Sequence, residues 1–89
     1  MMRSTLTQES AEILALQALG WLASDEDRLS RFLALSGLDP AALRDMADNR
    51  DTARAVLDFL LSDEALLLDF CEVAQIAPKM FPAYRAKLD

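Results

Sequence analysis

Apolar residues recur along this chain at helical rather than strand spacing. The clearest stretch places Leu29, Phe32, Leu33 and Ser36 at i, i+3, i+4 and i+7, one face of a helix. The first predicted helix starts at Thr5 or Thr7 and runs to about Leu22. Thr5 with Gln8 fits a capping box, and Thr7 with Glu9 in the first turn is the competing start. Its residues Ile13, Leu14, Leu16, Leu19, Trp21 and Leu22 are apolar nearly all round, which predicts a central helix. Ser24 is placed to cap the second helix, with Asp25, Glu26 and Asp27 where the helix dipole favours anions, and Gly37 is placed to end it.

Asp39 then reads as the N-cap of a short third helix, with Pro40 at its first position and Leu38 and Leu43 as a hydrophobic staple. That helix frays near Asp48–Asn49. A fourth covers about Arg50 to Leu61, with Ala53, Val56, Leu57, Leu60 and Leu61 on one face. Ser62 is the expected cap of the fifth, whose face is Leu66, Leu67, Phe70, Val73 and Ala74. A last short helix begins near Pro78 and presents Met80, Phe81, Tyr84 and Leu88; Pro82 fits its first turn and would break a longer helix.

The punctuation repeats. Residues 53–78 laid over 15–40, an offset of 38, give nine identities in 26 pairs: Ala15/Ala53, Leu19/Leu57, Leu22/Leu60, Ser24/Ser62, Asp25/Asp63, Glu26/Glu64, Leu29/Leu67, Phe32/Phe70 and Pro40/Pro78. Roughly two or three would match by chance in a chain so rich in Leu and Ala. Leu35/Val73, Leu38/Ile76 and Leu43/Phe81 are conservative pairs on the same frame. Two copies are too few for an open solenoid, so the expected arrangement closes one on the other with approximate two-fold symmetry. The prediction is therefore an all-α single domain over 1–89: a compact bundle of five or six helices, in two tandem three-helix units of about 7–48 and 50–88.

Composition agrees with that class. Hydrophobic residues make up 53% of 89 positions, with two glycines and three prolines. Ala and Leu, both strong helix formers, dominate, and β-branched residues such as Val56, Val73, Ile13 and Ile76 are few. A chain of this length buries roughly 60–65% of its unfolded surface, enough for one modest core.

The phrases ALQALGWLASDEDRLSRFLALSGLDPAALR and AVLDFLLSDEALLLDFC resemble a family of small alphaproteobacterial proteins of unknown function. The resemblance runs from about Glu9 to Leu88, and GLDPAALR is its most recognisable part. It implies a compact helical fold in a bacterial cytoplasmic protein, and it supplies no activity, cofactor or catalytic residue. The second unit departs from the pattern, with Gln75-Ile76-Ala77-Pro78 in place of the Gly-Leu-Asp-Pro turn. The stop of the fifth helix and the cap of the sixth are accordingly expected to be weaker than their counterparts.

Charge and chemistry narrow the function classes. The net charge of −6 opposes general nucleic-acid binding, which neutralises phosphates with Lys and Arg. A degenerate helix-turn-helix can be drawn through Arg31–Met46, with Gly37, Leu38, Leu43 and Met46 at its apolar spacing. Its would-be recognition helix sets Asp39, Asp45 and Asp48 against Arg44 alone, which makes a DNA-associated regulator the alternative reading and nucleic acid an unlikely partner. There is no histidine, which removes the Ser–His and Cys–His dyads and the commonest metal ligand. Asp25-Glu26-Asp27 and Asp63-Glu64 are explained by helix starts, without the spacing of a calcium loop. Cys71 lies beside the apolar face and reads as a buried structural thiol.

No catalytic residue, cofactor or metal site is expected, and no small-molecule substrate is evident. No run of about 20 apolar residues offers a membrane span, no secretory signal is visible, and the single cysteine suits a reducing cytoplasm. What stands out is surplus hydrophobicity in the fourth and fifth helices. Leu66, Leu67, Leu68 and Phe70 cannot share one face at about 100° per residue. The expected function is a non-catalytic interaction or adaptor protein, pairing with itself or a protein partner, with Phe59, Leu61 and Leu68 as the candidate interface.

Overall fold

The computed structural model describes residues 6–38, 41 and 50–89. Among these, five α-helices and one 3₁₀ turn follow in order: α1 (Gln8–Ala23), α2 (Glu26–Ser36), α3 (Arg50–Leu61), α4 (Glu64–Ala74), the turn Pro78–Met80, and α5 (Phe81–Ala86). Strands are absent from the described residues, so the all-α expectation holds. The radius of gyration is 12.4 Å, close to the value of about 12 Å for a compact chain of this length. The expected third helix and the second half of the Arg31–Met46 motif, Ala41 apart, lie outside the described residues.

α1 starts at Thr7, the later of the two expected caps. Thr7 Oγ1 accepts from the Ser10 backbone N–H at 3.0 Å, and the Thr7 N–H donates to Ser10 Oγ at 2.9 Å. The box is reciprocal, with serine filling the role usually taken by Glu or Gln. The caps of α2 and α4 sit one residue later than the sequence suggests. Asp25, extended at φ −135°, accepts from the N–H groups of Asp27 and Arg28, and Asp63 accepts from that of Leu66. Ser24 and Ser62 do not cap forward, because each hydroxyl donates backwards to close the preceding helix. Ser24 Oγ reaches the Trp21 carbonyl at 2.6 Å and Ser62 Oγ the Phe59 carbonyl at 2.7 Å.

Helix ends also correspond. Gly37 ends α2 with φ 73°, in the left-handed region that glycine enters without penalty. Gln75 ends α4 at φ 60° and ψ 46°, the same conformation on a residue that carries a Cβ. Its N–H bonds the Cys71 carbonyl, the bond of an αL stop, and the Ile76 N–H reaches the same oxygen at 3.1 Å, the long bond of a Schellman stop. Loss of the glycine did not lose the turn.

α1 and α3 each pack against all the other α-helices and form the centre. Their inner faces supply Ala11, Leu14, Ala15, Ala18, Leu19 and Leu22 from one, and Ala53, Val56, Leu57, Phe59 and Leu60 from the other. Small alanines let these two helices approach, and Phe32, Phe70 and Phe81 close the sides at 0–1% exposure. Aromatic contacts cross between two helical hairpins, α1–α2 and α3–α4. Trp21 of α1 meets Phe70 of α4 with centroids 5.6 Å apart, and Phe32 of α2 meets Phe59 of α3 at 5.4 Å. α5 is tied to α3 by Arg54, whose Nε donates to the Leu88 carbonyl at 2.8 Å, and by Arg85 on Asp58 at 2.6 Å.

Candidate interaction surface

The three residues expected at an interface separate in the structure. Phe59 is 6% exposed, edge-on to Phe32, and belongs to the core rather than the surface. The reason is geometric: α2 covers the flank of α3 that carries Phe59. Leu61 is half-buried against the core, and Leu68 stands out at 46% exposure. Val73, expected on the inner face of its helix, is 65% exposed.

Other apolar side chains reach the surface as well. Ile13 and Leu16 on α1 are 52% and 47% exposed, and Leu35 on α2 is 71% exposed. α1 is apolar all round, yet only one of its sides faces the core; Ile13, Leu16 and Gly20, at i, i+3 and i+7, line the other. The signal was present in the sequence as a second apolar stripe on the same helix.

Two grooves flank the centre. One, of about 240 Å³, is lined by Leu35, Ser36, Ala55, Asp58, Phe59 and Ser62. The other, of about 320 Å³, is lined by Gln17, Trp21, Phe70, Val73 and Ala74. The first falls below the size range of small-molecule sites and the second lies at its bottom. Four of their lining positions correspond at the offset of 38: Leu35/Val73, Ser36/Ala74, Gln17/Ala55 and Trp21/Phe59.

Electrostatics around these surfaces is structural in character. The Leu66 backbone N–H, and then Arg31 at 2.6 Å, hold the Asp63 carboxyl below its ordinary value. Burial pushes the Cys71 thiol up, away from the thiolate that redox or nucleophilic chemistry needs. Asp58 and Asp89 hold Arg85 firmly protonated. The Arg28 guanidinium lies 4.0 Å from the centre of the Trp21 ring, a cation–π contact beside the second groove. Among the described residues no three His, Cys, Asp or Glu side chains gather as a metal-holding group, and no helix is long and apolar enough to cross a membrane.

Helices, caps and surface together define a compact helical domain whose surface carries apolar side chains. The chain belongs to the family described as protein of unknown function (DUF3572), whose model matches residues 8–89. No curated protein and no solved structure matches it.

Proposed function

We propose that this protein is a non-catalytic interaction protein, acting by contact with a protein surface through apolar side chains that its own fold leaves outside. The observation that carries the reading is the placement of Ile13, Leu16, Leu35, Leu68 and Val73 at 46–71% exposure on a domain of 89 residues. Exposed apolar side chains mark protein contacts where they lie together, as Ile13 and Leu16 do one turn apart on α1. The reading places the protein in the bacterial cytoplasm, in keeping with its lone buried thiol.

The architecture behind that surface is a duplicated unit closed on itself by an approximate two-fold axis. Matching Ser and Asp roles at 24/62 and 25/63, left-handed stops at 37/75 and twin grooves support it. So do the aromatic contacts: moving Trp21–Phe70 by the offset of 38 in opposite directions gives Phe59–Phe32, the other contact observed. Affinity capture with the native protein and with Leu68→Glu and Val73→Glu tests the reading. One co-purifying protein, lost with either folded variant, is the expected result. Equal recovery by all three forms would refute a role for this surface.

A further inference from the structure

At the offset of 38, α4 lies over α2 in the sequence, yet the two helices present different outer faces. Ser30, Arg31 and Ala34 of α2 answer to Leu68, Asp69 and Glu72 of α4, and all six are exposed. At about 100° per residue, the exposed side of α4 reads Leu68, Glu72, Asp69 and Val73 in order around the helix. Val73 then lines the groove of about 320 Å³, together with Gln17 and Trp21 of α1 and with Phe70 and Ala74.

Charge on this side has one sign. From Ala55 to Pro78 the chain holds Asp58, Asp63, Glu64, Asp69 and Glu72, and no Lys or Arg. Asp58 is paired with Arg85 and Asp63 with Arg31. Glu64, Asp69 and Glu72, the acids within α4, form no ion pair among the described residues. Arg28, over the Trp21 ring, is itself paired with Asp25 at 3.7 Å and does not offset them.

We propose that the α1–α4 groove and its acidic bank receive a basic amphipathic helix of a different protein. The inference rests on reading the chain as an interaction protein, and it names the surface and the chemistry of the partner. Apolar side chains of that helix enter the groove against Trp21, Phe70 and Val73. Its Lys or Arg residues lie over Asp69 and Glu72, with their methylene stems on Leu68. Unpaired carboxylates beside an apolar groove attract cations and repel phosphates, which excludes nucleic acid from this face. A second copy does not fit either. Its net charge is −6, and its basic stretch, from Lys79 onward, has Phe81 and Leu88 fully buried in its own core. The described residues offer no strand edge to an extended peptide, whereas a helix satisfies its own backbone.

Trp21 is the one tryptophan of the chain and lines the groove, so its emission reads occupancy. The probe is a synthetic tryptophan-free helix of leucine and lysine, about 15 residues long, with leucines at i, i+3, i+4 and i+7. At ~50 mM salt it is expected to bind and shift the Trp21 emission, with affinity falling as salt rises. Asp69→Lys with Glu72→Lys is expected to weaken binding at least ~10-fold, and Asp69→Asn with Glu72→Gln to weaken it less and flatten the salt dependence. The same reversal at Glu26 and Asp27 of α2 should change affinity less than ~3-fold at physiological salt. A peptide of the same composition without an apolar face should leave the emission unchanged. Circular dichroism checks that each variant keeps its helices. An unshifted Trp21 emission, or a loss from the α2 reversal as large as from the α4 reversal, overturns the docking site. A native partner captured by the chain and lost with Val73→Glu, yet untouched by the α4 reversal, overturns the basic helix and leaves the interaction reading standing.

Discussion

The left-handed residue that ends α4 offers a measurement of how that helix end departs from the end of α2. Gln75 sits at φ 60° and ψ 46°, a conformation that costs a side-chain-bearing residue about 1–2 kcal/mol. Glycine removes that cost but loses more backbone entropy on folding, which offsets about 0.4–1 kcal/mol. Gln75→Gly should therefore stabilise the protein by about 0.5–1 kcal/mol, since Gln75 is exposed and gives up no burial. For a domain of 89 residues this raises the midpoint by about 2–8 °C. Gly37→Gln should do the reverse by a similar amount, because Gly37 is also exposed, at φ 73°. The double exchange, carrying the glycine from one helix end to the other, should return close to wild-type stability. Urea unfolding followed by circular dichroism, with common m-values, reads all four proteins. A Gln75→Gly protein no more stable than the wild type would refute the reasoning, since it would mean that strain at this turn is not what distinguishes the two helix ends.

Two further outcomes follow from the core and from one carboxylate. Phe32→Ala removes a ring with 0% exposure and its contact with Phe59, at a cost of about 3–5 kcal/mol. Set against the roughly 4–13 kcal/mol that a domain of this length possesses, that shifts the urea midpoint sharply downwards; a shift equivalent to under about 1 kcal/mol would contradict the packing. Asp63 is held below its ordinary value by the Leu66 N–H and Arg31, so its contribution is complete above about pH 4 and fades as pH falls through the lowered value. Asp63→Asn keeps a capping side chain without the charge, and its stability curve should lose part of the wild type's decline below about pH 4. Parallel curves in acid would refute that assignment.

Much of the fold was legible because its punctuation is chemical. Thr7, Gly37 and the helices that they bound are where the residue types put them, to within a residue or two. The caps at Asp25 and Asp63 were displaced because a serine and an aspartate side by side both suit an N-cap. The choice fell to a contact that the pattern does not display, the hydroxyl closing the helix behind it. The candidate surface was harder to read. Phe59 is covered by a helix from the other half of the chain, while α1 exposes Ile13 and Leu16 although its apolar content suggested a helix enclosed on every side. Periodicity says which side chains share a face; which face is covered is decided by how the hairpins cross.

Those crossings have a consequence for how the domain comes apart. Because Phe70 rests on Trp21 and Phe59 on Phe32, each hairpin completes its aromatic cluster only with a ring lent by the other. Neither hairpin can open without exposing the rings of both, so the domain is expected to unfold in one cooperative step. Amide protons at the middles of α1 and α3 should then exchange at one common rate, set by global unfolding, however far apart they lie in the chain.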